Sequence, residues 1–80
     1  MTDQEKKDLI RSIAPIEYFS LSRICLQSRY KDDEELKILS TQINWGLAAR
    51  KEFVQGCIHK GYVTFEQVKE QLDQLRNKQD

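Results

Sequence analysis

Apolar residues recur along this chain at helical spacing, with no sustained alternation of the kind a strand would need. Thr2 followed three residues later by Glu5 forms a capping-box signature, and Leu9, Ile10 and Ile13 make a short apolar stripe that ends before Pro15. This predicts a first helix over residues 2–13. Pro15 disfavours helical backbone at Ala14 yet suits the first turn of a new helix, so the chain should bend there and continue as a second helix over residues 15–30. Its apolar positions Ile16, Phe19, Leu21, Ile24, Cys25 and Leu26, with Tyr18 and Tyr30, cover more than one face. Glu17, Ser20, Arg23 and Gln27 mark its solvent side, and such a helix is expected to be central.

Arg29-Tyr30-Lys31 places positive charge where this helix ends, and Asp32-Asp33-Glu34-Glu35 places negative charge where the next begins, which suits the macrodipole at both termini. The acidic run is therefore read as a helix start. An EF-hand loop would need alternating oxygen ligands, a central Gly and a distal Glu, which this run lacks. From Leu36 the set Leu36, Leu39, Ile43, Leu47, Val54 and Ile58 keeps helical spacing, which favours one long helix of about 27 residues over 33–60. Gly46 and Gly56 each weaken that reading by about 1 kcal/mol relative to Ala, and Asn44-Trp45-Gly46 offers a break into two helices instead. With continuity, Gly46, Ala48 and Ala49 would form a smooth patch for close helix approach. With a break, Trp45 would close the core of a five-helix domain.

The run Lys60-Gly61-Tyr62-Val63-Thr64 stops one helix and starts another. Gly61 can take positive φ without steric cost, His59 and Lys60 bring positive or chargeable groups to the last turn, and Thr64 with Gln67 makes a second capping box. The last helix, residues 64–77, carries Phe65, Val68, Leu72 and Leu75 as a narrow stripe amid charge and amide. That stripe either docks on the chain's own core or forms a dimer or partner seam. The expected fold is all-α, a single domain over residues 1–80. Its architecture is a small antiparallel bundle of four or five helices, with a long central one.

Charge and chemistry narrow the function classes. Thirteen Lys and Arg balance thirteen Asp and Glu. A nucleic-acid-binding domain ordinarily carries a basic excess, so DNA or RNA is not the favoured partner. No apolar run approaches a membrane span, and the polar start Met-Thr-Asp-Gln-Glu-Lys-Lys does not read as a signal peptide, so a cytoplasmic protein without membrane association is expected. Cys25 and Cys57 both lie in apolar patterns and are expected as reduced, buried thiols. His59 is the single imidazole, no CxxC or HxxxH pair gives metal-ligand spacing, and the three glycines are isolated from one another. No catalytic residue, cofactor or metal is therefore assigned, and the protein is not expected to be an enzyme.

Aromatic residues are in surplus over what four short layers should bury. Tyr18, Tyr30, Trp45 and Tyr62 sit at the edges of the apolar stripes, and with Leu72 and Leu75 they are the candidate partner-binding residues. The expected function is that of a noncatalytic regulator, inhibitor or adaptor occluding the surface of another protein or complex, with a homodimer as one form. Size and composition suit a phage- or plasmid-encoded modulator. The alternative is a helix-turn-helix DNA-binding transcriptional regulator, with Lys69, Gln71, Gln74 and Arg76 facing the groove. The stretch Gly61-Tyr62-Val63-Thr64-Phe65-Glu66-Gln67-Val68, with the amphipathic helix before it, resembles the first helix-turn-helix of region 1.1 of bacterial primary sigma factors. In that family the segment lies near the start of a larger, acidic domain, whereas here it falls late in a chain of zero net charge.

Overall fold

The computed structural model describes residues 1–77, and every regular element among them is helical. Five α-helices follow in order: α1 (Asp3–Ser12), α2 (Glu17–Leu26), α3 (Glu34–Gln42), α4 (Leu47–His59) and α5 (Phe65–Asn77). Short 3-10 turns at Tyr30–Asp32 and Ile43–Trp45 flank α3. The all-α bundle expected from the pattern is what forms. Its Cα radius of gyration of 12.2 Å is close to the value of about 12 Å for a compact chain of this length.

Local chemistry explains most helix ends. Thr2 caps α1, its Oγ1 accepting from the Glu5 N–H at 3.1 Å. The chain then turns tightly through Pro15, where the Glu17 N–H reaches the Ala14 carbonyl at 2.9 Å and the Glu17 carboxylate accepts from the Ala14 N–H at 2.8 Å. Helix α2 stops at Leu26, short of the expected residue 30. The Ser28 hydroxyl and N–H both bond the Cys25 carbonyl, and the 3-10 turn swings Tyr30 inward, edge-on to Phe53 with ring centroids 5.3 Å apart. Asp33 caps α3 by accepting from the Leu36 N–H at 3.1 Å, so the acidic run begins a helix as its charge pattern suggested. Lys60 ties that run to the end of α4, reaching Asp33 at 2.8 Å and Glu35 at 3.1 Å.

The long helix favoured over residues 33–60 is divided. Backbone at Gly46 is extended, with φ 164° and ψ 174°, which interrupts the helical hydrogen-bond ladder between α3 and α4. Packing supplies the reason. Leu36 and Gly56 would stand about 30 Å apart on a continuous helix. The break folds α3 back on α4 so that a Cβ built on Gly56 would lie 2.7 Å from Leu36 Cδ2. Close approach thus occurs at Gly56. Gly46, where the smooth patch was expected, faces open space. Trp45 does not close the core either, being 80 % exposed.

Leu21 and Cys25 from α2, Leu36 from α3, Phe53, Val54 and Cys57 from α4, and Val68 and Leu72 from α5 form the interior. Burying a side chain of this class is worth about 1.5–3 kcal/mol relative to leaving it exposed. Helix α4 is the hub, packing against both α2 and α3. Cys25 and Cys57 are free and fully buried, as expected, and hydrogen bonding to Cys57 together with burial pushes the Cys25 thiol up. The stripe on α5 docks inward through Val68 and Leu72. Helix α1 has no buried residue and leans on the core through half-buried Leu9 and Ile10.

The join between α4 and α5 is closed at every backbone group the sequence pointed to. Gly61 takes φ 84°, the Tyr62 N–H bonds the Cys57 carbonyl at 2.9 Å, and the Gly61 N–H bonds the Ile58 carbonyl at 3.2 Å, which is a Schellman motif. Thr64 and Gln67 then satisfy one another reciprocally: Gln67 Oε1 accepts from the Thr64 N–H at 2.9 Å, and Thr64 Oγ1 accepts from the Gln67 N–H at 3.1 Å.

Candidate interaction surface

Outward-facing chemistry on this bundle begins with an inversion along α2. Glu17, read as a solvent-side residue, is buried, while Ile16 is 69 % exposed and Phe19 is 49 % exposed. Arg76 satisfies the buried carboxylate. From α5 its Nε and Nη2 donate to the two Glu17 carboxylate oxygens at 3.0 and 3.1 Å, and Nη2 also donates to the Ser12 carbonyl at 3.0 Å. A carboxylate cannot be buried cheaply unless it is paired and hydrogen-bonded, and the bidentate guanidinium with the Ala14 N–H provides both. The hydrogen bonds from Arg76 act first, then the Ala14 N–H and the arginine's charge; together they outweigh burial and hold the Glu17 carboxyl below its ordinary value.

With Glu17 turned inward, α2 rotates its other side to solvent. Ile16, Phe19, Arg23 and Leu26 fall at spacings of three, four and three, and all four are exposed. Phe19 is held in place. The Arg50 guanidinium, from α4, lies 4.5 Å from its ring centroid and donates from Nη1 to the Ser22 hydroxyl at 2.7 Å, so one face of the ring is braced by a fixed cation. Leu47 lies one turn before Arg50 on α4 and is also exposed, and Trp45 stands just ahead of it at the uncapped start of the helix. The outer side of α2 and the beginning of α4 thus present five large apolar side chains with Arg23, Arg50 and Lys51 among them.

The six residues singled out from the sequence divide between interior and surface. Tyr18 is buried, accepting a hydrogen bond from Gln55 Nε2 at 3.3 Å with Lys51 over its ring. Tyr30 is buried against Phe53, and Leu72 is fully enclosed, so these three are core residues of the folded chain. Each stripe closes over its tyrosine because the ring body is apolar and the hydroxyl finds a partner or the rim. Tyr62 and Leu75 are half-buried near the α4–α5 join and on α5. Trp45 alone of the six is freely exposed. Ile16, Phe19, Leu26 and Leu47 belong to the apolar patterns without being among the six, and the three-four-three spacing on α2 is a visible signal of its exposed face. What it lacked was a reason for Glu17 to be inside.

Arg76, one of the four residues named for reading DNA, is engaged by Glu17 and Ser12. His59 is exposed on the last turn of α4, the helix-end position its sequence context suggested. Among the described residues, no group of three His, Cys, Asp or Glu side chains is placed to hold a metal ion, and no helix is long and apolar enough to cross a membrane. Compared with known protein families, with curated protein sequences and with solved structures, the chain matches none.

Proposed function

We propose that this protein is a noncatalytic protein-binding module, a cytoplasmic regulator, inhibitor or adaptor that works by covering part of a macromolecular partner. The observation that carries the reading is the exposure of Trp45 beside Leu47, together with the braced Phe19 on α2. An indole left in water adds almost nothing to the stability of the monomer, whereas Trp and Arg are the residues most enriched where binding energy concentrates. Apolar anchors framed by Arg23, Arg50 and Lys51 favour a partner surface with apolar pockets and acidic neighbours. A homodimer through this surface is the form in which the partner is a second copy. Protein is preferred to DNA because the last helix carries Glu66, Glu70 and Asp73 toward any phosphate backbone and has Arg76 tied to Glu17.

The test places a photo-crosslinking side chain at position 45 and, as a control, at Glu66 on the exposed side of α5, in cells of the natural host. A discrete crosslinked product at position 45, absent at 66 and lost when Phe19→Ala is added to a chain whose helicity is unchanged, is the expected result. Native mass spectrometry then distinguishes a second copy from another protein. Equal crosslinking at both positions, or a product indifferent to Phe19→Ala, overturns the proposal.

A further inference from the structure

Helices α1, α4 and α5 surround an open groove of about 570 Å³. That volume lies in the range of about 300–1,000 Å³ typical of small-molecule sites. Ile10, Ile58 and Phe65 make its floor apolar. Its edge is cationic: Lys6, Lys7 and Arg11 line it from α1, against Asp3 as the carboxylate among the described lining residues. Lys6 Nζ sits 5.2 Å from the Phe65 ring centroid, which sets a positive charge at the boundary between floor and edge.

We infer that this groove binds a free monoanionic acyl chain, a medium-chain fatty carboxylate, with its hydrocarbon on Ile10, Ile58 and Phe65 and its carboxylate paired to Lys6, Lys7 and Arg11. The apolar floor calls for a tail, and three cations against one acid select an anionic head over a cationic one. The concave shape and zero net charge of the chain favour a free molecule over a lipid surface, which would be held by a polybasic face. The groove shares no lining residue with the surface formed by α2 and the start of α4.

The experiment is a heteronuclear NMR titration of the whole protein with decanoate below its micelle concentration. Saturable shifts centred on Ile10, Ile58 and Phe65 are expected, with decyltrimethylammonium binding at least tenfold more weakly. Combining Lys6→Gln, Lys7→Gln and Arg11→Gln, all on the outer helix, should weaken decanoate at least tenfold. Arg11→Gln alone, which leaves Lys6 over Phe65, should weaken it about threefold and serves if the triple variant unfolds. The inference is overturned by linear, non-saturating shifts, by equal affinity for the cationic amphiphile, by shifts centred on Phe19 and Trp45, or by binding to anionic phospholipid vesicles without binding to free decanoate.

Discussion

The two ends of α4 are built on opposite plans. At its C-terminal end, Gly61 at positive φ closes a Schellman motif, Thr64 and Gln67 cap the next helix reciprocally, and Lys60 reaches back to Asp33 and Glu35. At its N-terminal end no side chain caps the helix, Gly46 is extended, and Trp45 and Leu47 lie in water. One end satisfies its polar groups with neighbours in sequence and seals the core. The other leaves apolar area uncovered that a monomer gains nothing by exposing. Surface that folding does not explain is where a binding role is best sought, and it lies at the end where local structure is least determined.

Arg76→Ala should give the largest change, because it strands the buried Glu17 carboxylate. The arginine is itself partly exposed, so the loss is set at about 2 kcal/mol, below the cost of breaking a fully buried pair, and urea unfolding at neutral pH measures it. Acid sharpens the same contact. Glu17 is depressed in the folded state, so its contribution is complete above the ordinary carboxylate value of 4.5 and drains away as pH falls through the lower folded value. Asp33, depressed first by its hydrogen bond from Lys60, acts with the same sign. Wild-type stability should therefore fall on acidification below about pH 4.5, and the fall should be shallower in Arg76→Ala. An equally steep fall in the variant would remove Arg76 as its cause.

Gly61→Val comes next, forcing a β-branched residue to φ 84° at a cost of about 1–3 kcal/mol, with Thr64→Ala losing about 1 kcal/mol beside it. Thermal melts rank the pair, and a neutral Gly61→Val would mean that the turn can be rebuilt without positive φ. At the opposite end Trp45→Ala should alter stability by less than about 0.5 kcal/mol while abolishing the proposed complex. A destabilisation of about 2 kcal/mol there would show an indole that supports the fold, and the contrast between the ends would fail.

Helix type and capping were legible in the chain because they are settled within four residues. Thr2 with Glu5, Asp33 ahead of Leu36, and Gly61 followed by Thr64 and Gln67 each complete their chemistry with near neighbours, so no distant contact was needed to read them. Apolar spacing likewise marked the stripes that carry Leu21 and Phe53 inside, but it left the α5 stripe open between core and partner, and Leu72, a candidate partner residue, is enclosed. What escaped depends on partners far along the chain. The break at Gly46 is secured by Leu36 meeting Gly56 after the chain has folded back, a contact that periodicity cannot register because it scores one helix at a time. The inward-facing Glu17 is satisfied by Arg76, 59 residues away, on the side of α2 that Tyr18, Leu21 and Cys25 bury in the core. Helical periodicity by itself determined that this chain folds as capped helices around an apolar core. Which apolar residues were left over for a partner was decided only when long-range charge and packing fixed the rotation of each helix.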